Sequence, residues 1–145
     1  MPARERAFGR MTVPRREWRR LQHRARQAQR SDHSEVVGLL AISRARPETI
    51  RFVFLPNEAP KPGAWKLEWR TIAAARRRLR LSGSNVIGLF HSHPIGKASL
   101  GARDRRSTPT GWAHLVYDVC GREARLFLMR SVNGRRRAIL VWSAR

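Results

Sequence analysis

The chain has 145 residues, 41% of them hydrophobic, a single cysteine and a formal net charge of +21 at pH 7. That length is about one domain and is enough to bury a core without disulfide staples. No apolar run approaches the ~18 residues of a membrane span, and no apolar stretch follows the charged N-terminus as in a secretion signal; with Cys120 unpaired, a reducing, cytoplasmic setting is expected.

Residues 1–12 read as a loose, basic N-terminal arm, and residues 13–145 as one domain. Pro14 suits the first turn of a helix. Trp18, Leu21, Ala25 and Ala28 then recur at spacings of three or four, which predicts an amphipathic helix ending near Arg30. Val36 to Ile42 is a continuous apolar run of strand length, and Arg51 to Leu55 alternates like a second strand that Pro56-Asn57 closes. Residues 58–66 form a Pro- and Gly-rich loop. Trp69 to Leu81 predicts another helix, with Trp69, Ile72, Ala73 and Leu79 on one side, Arg76, Arg77, Arg78 and Arg80 largely on the other, and Ser82-Gly83 as its end. Val86 to Phe90 is a strand that leads into a histidine pair. Leu115 to Val119, Ala124 to Arg130 and Arg137 to Trp142 read as closing antiparallel strands, the last two joined at Asn133-Gly134, a strong hairpin signal.

The residues that carry chemistry begin with His91-Ser92-His93-Pro94. Two histidines at i, i+2 of an extended segment project to the same side, so both imidazoles can reach one cation. Asp104, eleven residues after His93, would complete three protein ligands. Three ligands leave a fourth position for water, which distinguishes a catalytic from a structural zinc. Glu35, far upstream, supplies a carboxylate to take that water's proton. Ser92 points the other way and reads as structural. His23, His33 and His114 have no such constellation, and surface or core roles suit them better. Trp65, Trp69 and Trp112 are candidates for lining a groove. Cys120 has no adjacent base, which argues against a nucleophilic role.

This arrangement resembles the JAB/MPN family of zinc metalloproteases, in its single-domain prokaryotic form. The family's JAMM motif is a glutamate, then His-x-His-Pro, then seven residues after the second histidine Ser-x-x-Asp. Glu35 opens EVVGLLAI, His91 and His93 fall in GLFHSHP, Asp104 lies at the aspartate distance, and PNEAPKPGAWKLEW is similar to the family's middle segment. The likeness runs from about Pro14 to Trp142. It implies an α/β (α+β) fold of the MPN/JAB (cytidine-deaminase-like) type, a curved, mostly antiparallel sheet flanked by helices. It also implies Zn²⁺ on His91, His93 and Asp104, with Glu35 as proton carrier. One position departs from the motif. Gly101 stands where the family has a serine, whose hydroxyl helps hold the tetrahedral oxyanion, and the loss of one such donor costs about 10²–10³ in turnover. Ser99 lies two residues earlier, out of register, as a substitute hydroxyl.

The resemblance implies a deubiquitinase-like isopeptidase. Its precedent is cleavage after the C-terminal Gly-Gly of a ubiquitin-like or sulfur-carrier-like protein. The competing reading is a metal-binding scaffold, catalytically weak or inactive, that docks nucleic acid or an acidic protein. Its arginine-rich surface would include Arg76, Arg77, Arg78, Arg80 and Arg135 to Arg137. A third is a nucleic-acid-linked member of the same superfamily. The charge is almost all arginine, since only Lys61, Lys66 and Lys97 are lysines, and charge by itself decides attraction and on-rate rather than chemistry.

Overall fold

The computed structural model describes residues 3–32, 34–59, 63–94, 96 and 98–145. His33, Lys61 and Lys97 lie outside the described residues. The elements follow one another as α1 (Ala3–Gly9), α2 (Arg15–Asp32), β1 (Val37–Ser43), β2 (Arg46–Leu55), α3 (Trp69–Leu81), β3 (Ser84–His93), α4 (Ala102–Ser107), β4 (Ala113–Asp118), β5 (Glu123–Val132) and β6 (Arg135–Ala144). Six strands form one sheet in the order β2-β1-β3-β4-β5-β6. β3 and β4 pair in parallel, and every other neighbouring pair is antiparallel.

The alternation of strand side chains divides the sheet's two faces between helices. Leu21 and Ala25 of α2 pack with Leu40, Phe90, Leu115 and Tyr117 on one face. Ile72 and Ala75 of α3 pack with Val37, Leu39 and Leu89 on the other. Leu21 has no exposed surface, and burial of such a side chain contributes roughly 1.5–3 kcal/mol. Gly38 sits beneath the Phe90 ring, where an added Cβ would run into that ring and the Val53 carbonyl. Glycine is required there for packing, not for backbone freedom. At the β5–β6 turn, Asn133 and Gly134 both take positive φ, 51° and 73°, as a two-residue hairpin needs.

Strand β2 is an edge, and its outward backbone groups are covered rather than left open. Thr12 N–H donates to the Glu48 carbonyl and Ile50 N–H donates to the Thr12 carbonyl. Phe52 N–H donates to the buried Glu17 carboxylate at 2.9 Å, which Arg20 also clamps at 3.0 Å. The first turn of α2 is thereby fastened to the sheet.

Three expectations change. The segment read as a loose arm is helical over Ala3–Gly9; Phe8 enters the core, and Glu5 pairs with Arg130 at 3.1 Å. One aromatic anchor and one ion pair give too little pattern to see in sequence. On α3, Trp69 is 57% exposed and Ala73 is exposed, whereas Ala75 is buried. The inward stripe runs through Ile72 and Ala75, so Trp69 and Ala73 share the outer face with arginines. The short helix α4 was not expected at all. Among the described residues no helix is long and apolar enough to cross a membrane.

Candidate metal centre

Glu35 immediately precedes the strand run of β1, and His91 and His93 end β3. Strand parity places both histidines on the α3 face with Leu89, while Phe90 faces α2. Val37 pairs with His91 across β1 and β3, which brings Glu35 beside the histidine pair. Two bonds lock this junction: Ser92 N–H donates to the Val36 carbonyl, and Val36 N–H donates to Ser92 Oγ, both at 2.9 Å. Ser92 is therefore structural, as its parity indicated.

One donor atom from each of Glu35, His91 and His93 lies within 4.8 Å of the others. The two Nε2 atoms are 2.9 Å apart. Asp104, in the first turn of α4, puts Oδ2 at 3.7 Å from His91 Nε2 and stands at the rim of this cluster. Its carboxylate is aimed by two donors: Trp65 Nε1–H reaches Oδ1 at 2.8 Å and Gly101 N–H reaches Oδ2 at 2.9 Å. The Trp65 ring also stacks on His91 at 5.4 Å between centroids. Gly101 is the residue that precedes α4, and its main chain still makes the contact that a Ser-x-x-Asp capping box would make through its backbone. Only the side-chain half is lost. Ser99 is exposed.

Burial governs the electrostatics. The Glu35 carboxyl is pushed up to about 8, first by desolvation and then by the Asp104 charge, with Arg103 opposing. His91 is held well below its ordinary value by burial and by His114 and His93, so its imidazole is neutral and a competent ligand. Glu35 Oε2 is buried with no hydrogen-bond partner among the described residues. An orphaned carboxylate oxygen beside two converging imidazole nitrogens fits a site built for a cation and its water. Imidazole and carboxylate donors suit a divalent transition metal.

Four residues that sequence reasoning did not assign to the site help to build it. Asn57 Nδ2 donates to the carbonyls of Glu35 (3.0 Å) and Ala64 (2.9 Å). Its Oδ1 accepts from Ala59 and Lys66 N–H, both at 3.0 Å, so one side chain holds the loop against the base of Glu35. Trp65 orients Asp104. His114 and Thr108, both fully buried, stand behind His91. The signal that could have found His114 is its place directly before the strand run that opens at Leu115. His23 is exposed, as expected. Cys120 is exposed and donates to the Pro94 carbonyl at 3.2 Å.

A family model described as prokaryotic homologs of the JAB domain matches residues 19–132. No curated protein matches the chain. Among solved structures, the fold is similar to the solution structure of a protein from Desulfitobacterium hafniense, with TM-score 0.68, 22% identity and 88% of each chain covered. It is also similar to the crystal structure of a JAB1/MPN domain protein from Archaeoglobus fulgidus, with TM-score 0.54 and 18% identity over 89% of this chain and 94% of that one. At these identities the structural likeness speaks for the fold alone. The matched segment takes in Glu35, His91, His93 and Asp104 and five of the sheet's six strands in full, so the chain belongs to the prokaryotic JAB family.

Proposed function

We propose that the protein is a zinc-dependent peptidase of the isopeptidase type that cleaves after the C-terminal Gly-Gly of a ubiquitin-like or sulfur-carrier-like protein. The observation that carries this reading is the convergence of Glu35, His91 and His93 donors within 4.8 Å, with Asp104 3.7 Å from His91. A zinc held by His91, His93 and Asp104 would supply Lewis acidity and a water acidified towards neutrality. Glu35 then accepts a proton at its carboxylate and returns it to the leaving amine. Trp65 and the Gly101 amide keep the Asp104 carboxylate aimed while this happens. An extended diglycine tail suits the site because only glycine lets a backbone approach so closely.

The purified protein is expected to carry about one zinc per chain, as a single site with an open position requires. His91→Ala should strip most of it and Asp104→Ala should weaken it. Metal content that is equal in wild type and both variants would sink the assignment. Cleavage of ubiquitin-like fusions bearing Gly-Gly at the junction, abolished by a chelator and restored by zinc, tests the activity.

The second reading, a docking role, is favoured by the outer face of α3. Trp69, Ala73, Arg76, Arg77, Arg80 and Leu81 line an open groove of about 520 Å³. Trp69 is 57% and Leu81 82% exposed, and among the described residues Arg76, Arg77 and Arg80 have no ion-pair partner. Arg78 is not part of the groove. Arg136 is committed elsewhere, to Thr110 Oγ1 and the carbonyls of Arg105 and Arg106. An apolar floor with an arginine rim suits an acidic protein or nucleic acid. Reversing Arg76, Arg77 and Arg80 to Glu is expected to cut association rates strongly at low salt and little at high salt. Zinc content should stay constant. Rates indifferent to both reversal and salt would leave this face as solvated surface.

A further inference from the structure

The imidazole of His91 presents two nitrogens, and only one of them faces the metal site. Nε2 lies 2.9 Å from His93 Nε2, whereas Nδ1 lies 2.7 Å from His114 Nε2. Behind His114, its Nδ1 lies 2.7 Å from Thr108 Oγ1, and Thr108 Oγ1 donates to the Asp104 carbonyl at 2.7 Å. The His91, His114 and Thr108 residues have no exposed surface, so water does not complete or reverse these bonds.

The direction of the whole chain follows from its last link. A backbone carbonyl only accepts, so the single Thr108 hydroxyl proton points to Asp104 and Oγ1 must accept from His114. His114 therefore carries its proton on Nδ1. Both partners of its ring are neutral groups, and the neutral ring leaves a lone pair on Nε2. That lone pair accepts from His91 Nδ1–H, and the neutral His91 ring is left with its own lone pair on Nε2, aimed into the cluster with Glu35 and His93.

We propose that His114, anchored by Thr108, is a positioning residue that locks His91 in the tautomer whose Nε2 lone pair faces the metal. The inference rests on the reading of His91 as a metal ligand. The relay also joins two ligands from different elements, because it starts on the main chain of Asp104 in α4, crosses β4 at His114 and ends on His91 in β3. Partners of this kind fix ring orientation, and their loss costs about 10–100-fold in metal affinity. No sequence spacing announces the arrangement, since His114 and Thr108 become neighbours of His91 only through the parallel pairing of β3 with β4, in which Leu89 pairs with His114.

The test has two independent readouts. In metal-free wild type, isotope-edited imidazole NMR should find His91 and His114 both protonated on Nδ1. Zinc affinity, measured by competition with a chromophoric chelator, should fall about 10–100-fold in His114→Phe, which keeps a ring but removes the acceptor. His114→Gln, whose amide oxygen can accept the same proton, should recover most of the loss. Thr108→Val keeps the shape and removes only the hydroxyl, so it serves if the Phe variant fails to fold; it should release His114 from its single tautomer and weaken zinc binding. Folded Phe and Val variants that bind zinc as tightly as wild type would overturn the proposal, as would a wild-type His91 protonated on Nε2. The NMR readout needs no zinc: a wild type that binds none overturns the metal reading, while the tautomers judge the relay on their own.

Discussion

Glu35→Gln is expected to keep the zinc and to lose about 10²–10⁴-fold in hydrolysis, the range that a positioned general base contributes. The amide matches the carboxylate in size but takes no proton from water, and the ligands proposed for the metal are left untouched. Undiminished cleavage by the Gln variant would require another base. The same substitution has an opposite effect on stability in the metal-free protein. Burial and the Asp104 charge raise the Glu35 carboxyl to about 8 from its ordinary 4.5. A raised carboxyl contributes stability that is complete below pH 4.5 and is lost as pH rises through about 8. Glutamine does not titrate. The Gln variant should therefore gain in Tm over wild type between pH 5 and pH 9, in chelator-treated samples. A Tm difference that is flat across that interval would place Glu35 in a solvated setting instead. Beside a divalent cation the carboxyl shifts back towards its ionised form, since an opposite charge favours it, which is the state that a proton acceptor needs.

Gly101→Ser is expected to raise turnover by up to about 10²-fold, the lower end of what one oxyanion donor is worth. The backbone at this position accepts the change: φ is −77° and ψ is 171°, and an ideal Cβ meets only Asp104 Oδ2 at 3.6 Å. A serine hydroxyl preceding α4 could accept from N–H groups of its first turn, which have no partner within a helix, while its own proton remains available to an oxyanion. Stability should rise slightly, because serine exceeds glycine at an N-cap by a few tenths of a kcal/mol. The gain should fall on kcat, since the contact forms only as the tetrahedral state develops. Activity and Tm measured side by side check both parts. A stable, zinc-loaded variant no faster than wild type would mean that another donor already serves or that the domain has been retired to binding. Ser99→Ala separates these, because only the first can lose rate through it.

Much of the architecture was legible because it depends on local periodicity. Helix α3 begins and ends at Trp69 and Leu81 as its pattern predicts, and β1 and the β5–β6 hairpin follow from an apolar run and from Asn133-Gly134. The pair His91 and His93 could be placed on one face because strand alternation is a property of the backbone. No spacing along the chain ties Glu35 to that pair, and the pairing of Val37 with His91 is what joins them in space.

What the sequence by itself determined is thus helices α2 and α3, the six strands, the His-x-His face and the missing hydroxyl at Gly101. Tertiary structure decided the rest, for reasons that spacing does not encode. Helix α4 has six residues and no apolar stripe, so it exists through its contacts: Asp104 bonds back to Gly101 N–H and is held by Trp65 from a distant loop. Which side of α3 is buried was settled by where Ile72 and Ala75 meet the sheet, and that turned Trp69 outward among arginines. Asn57, His114 and Thr108 acquire their roles from hydrogen bonds to groups 4 to 23 residues away or to a loop folded back on Glu35. Directional bonds between buried groups need partners fixed to within a fraction of an ångström, and only the packed sheet supplies that precision.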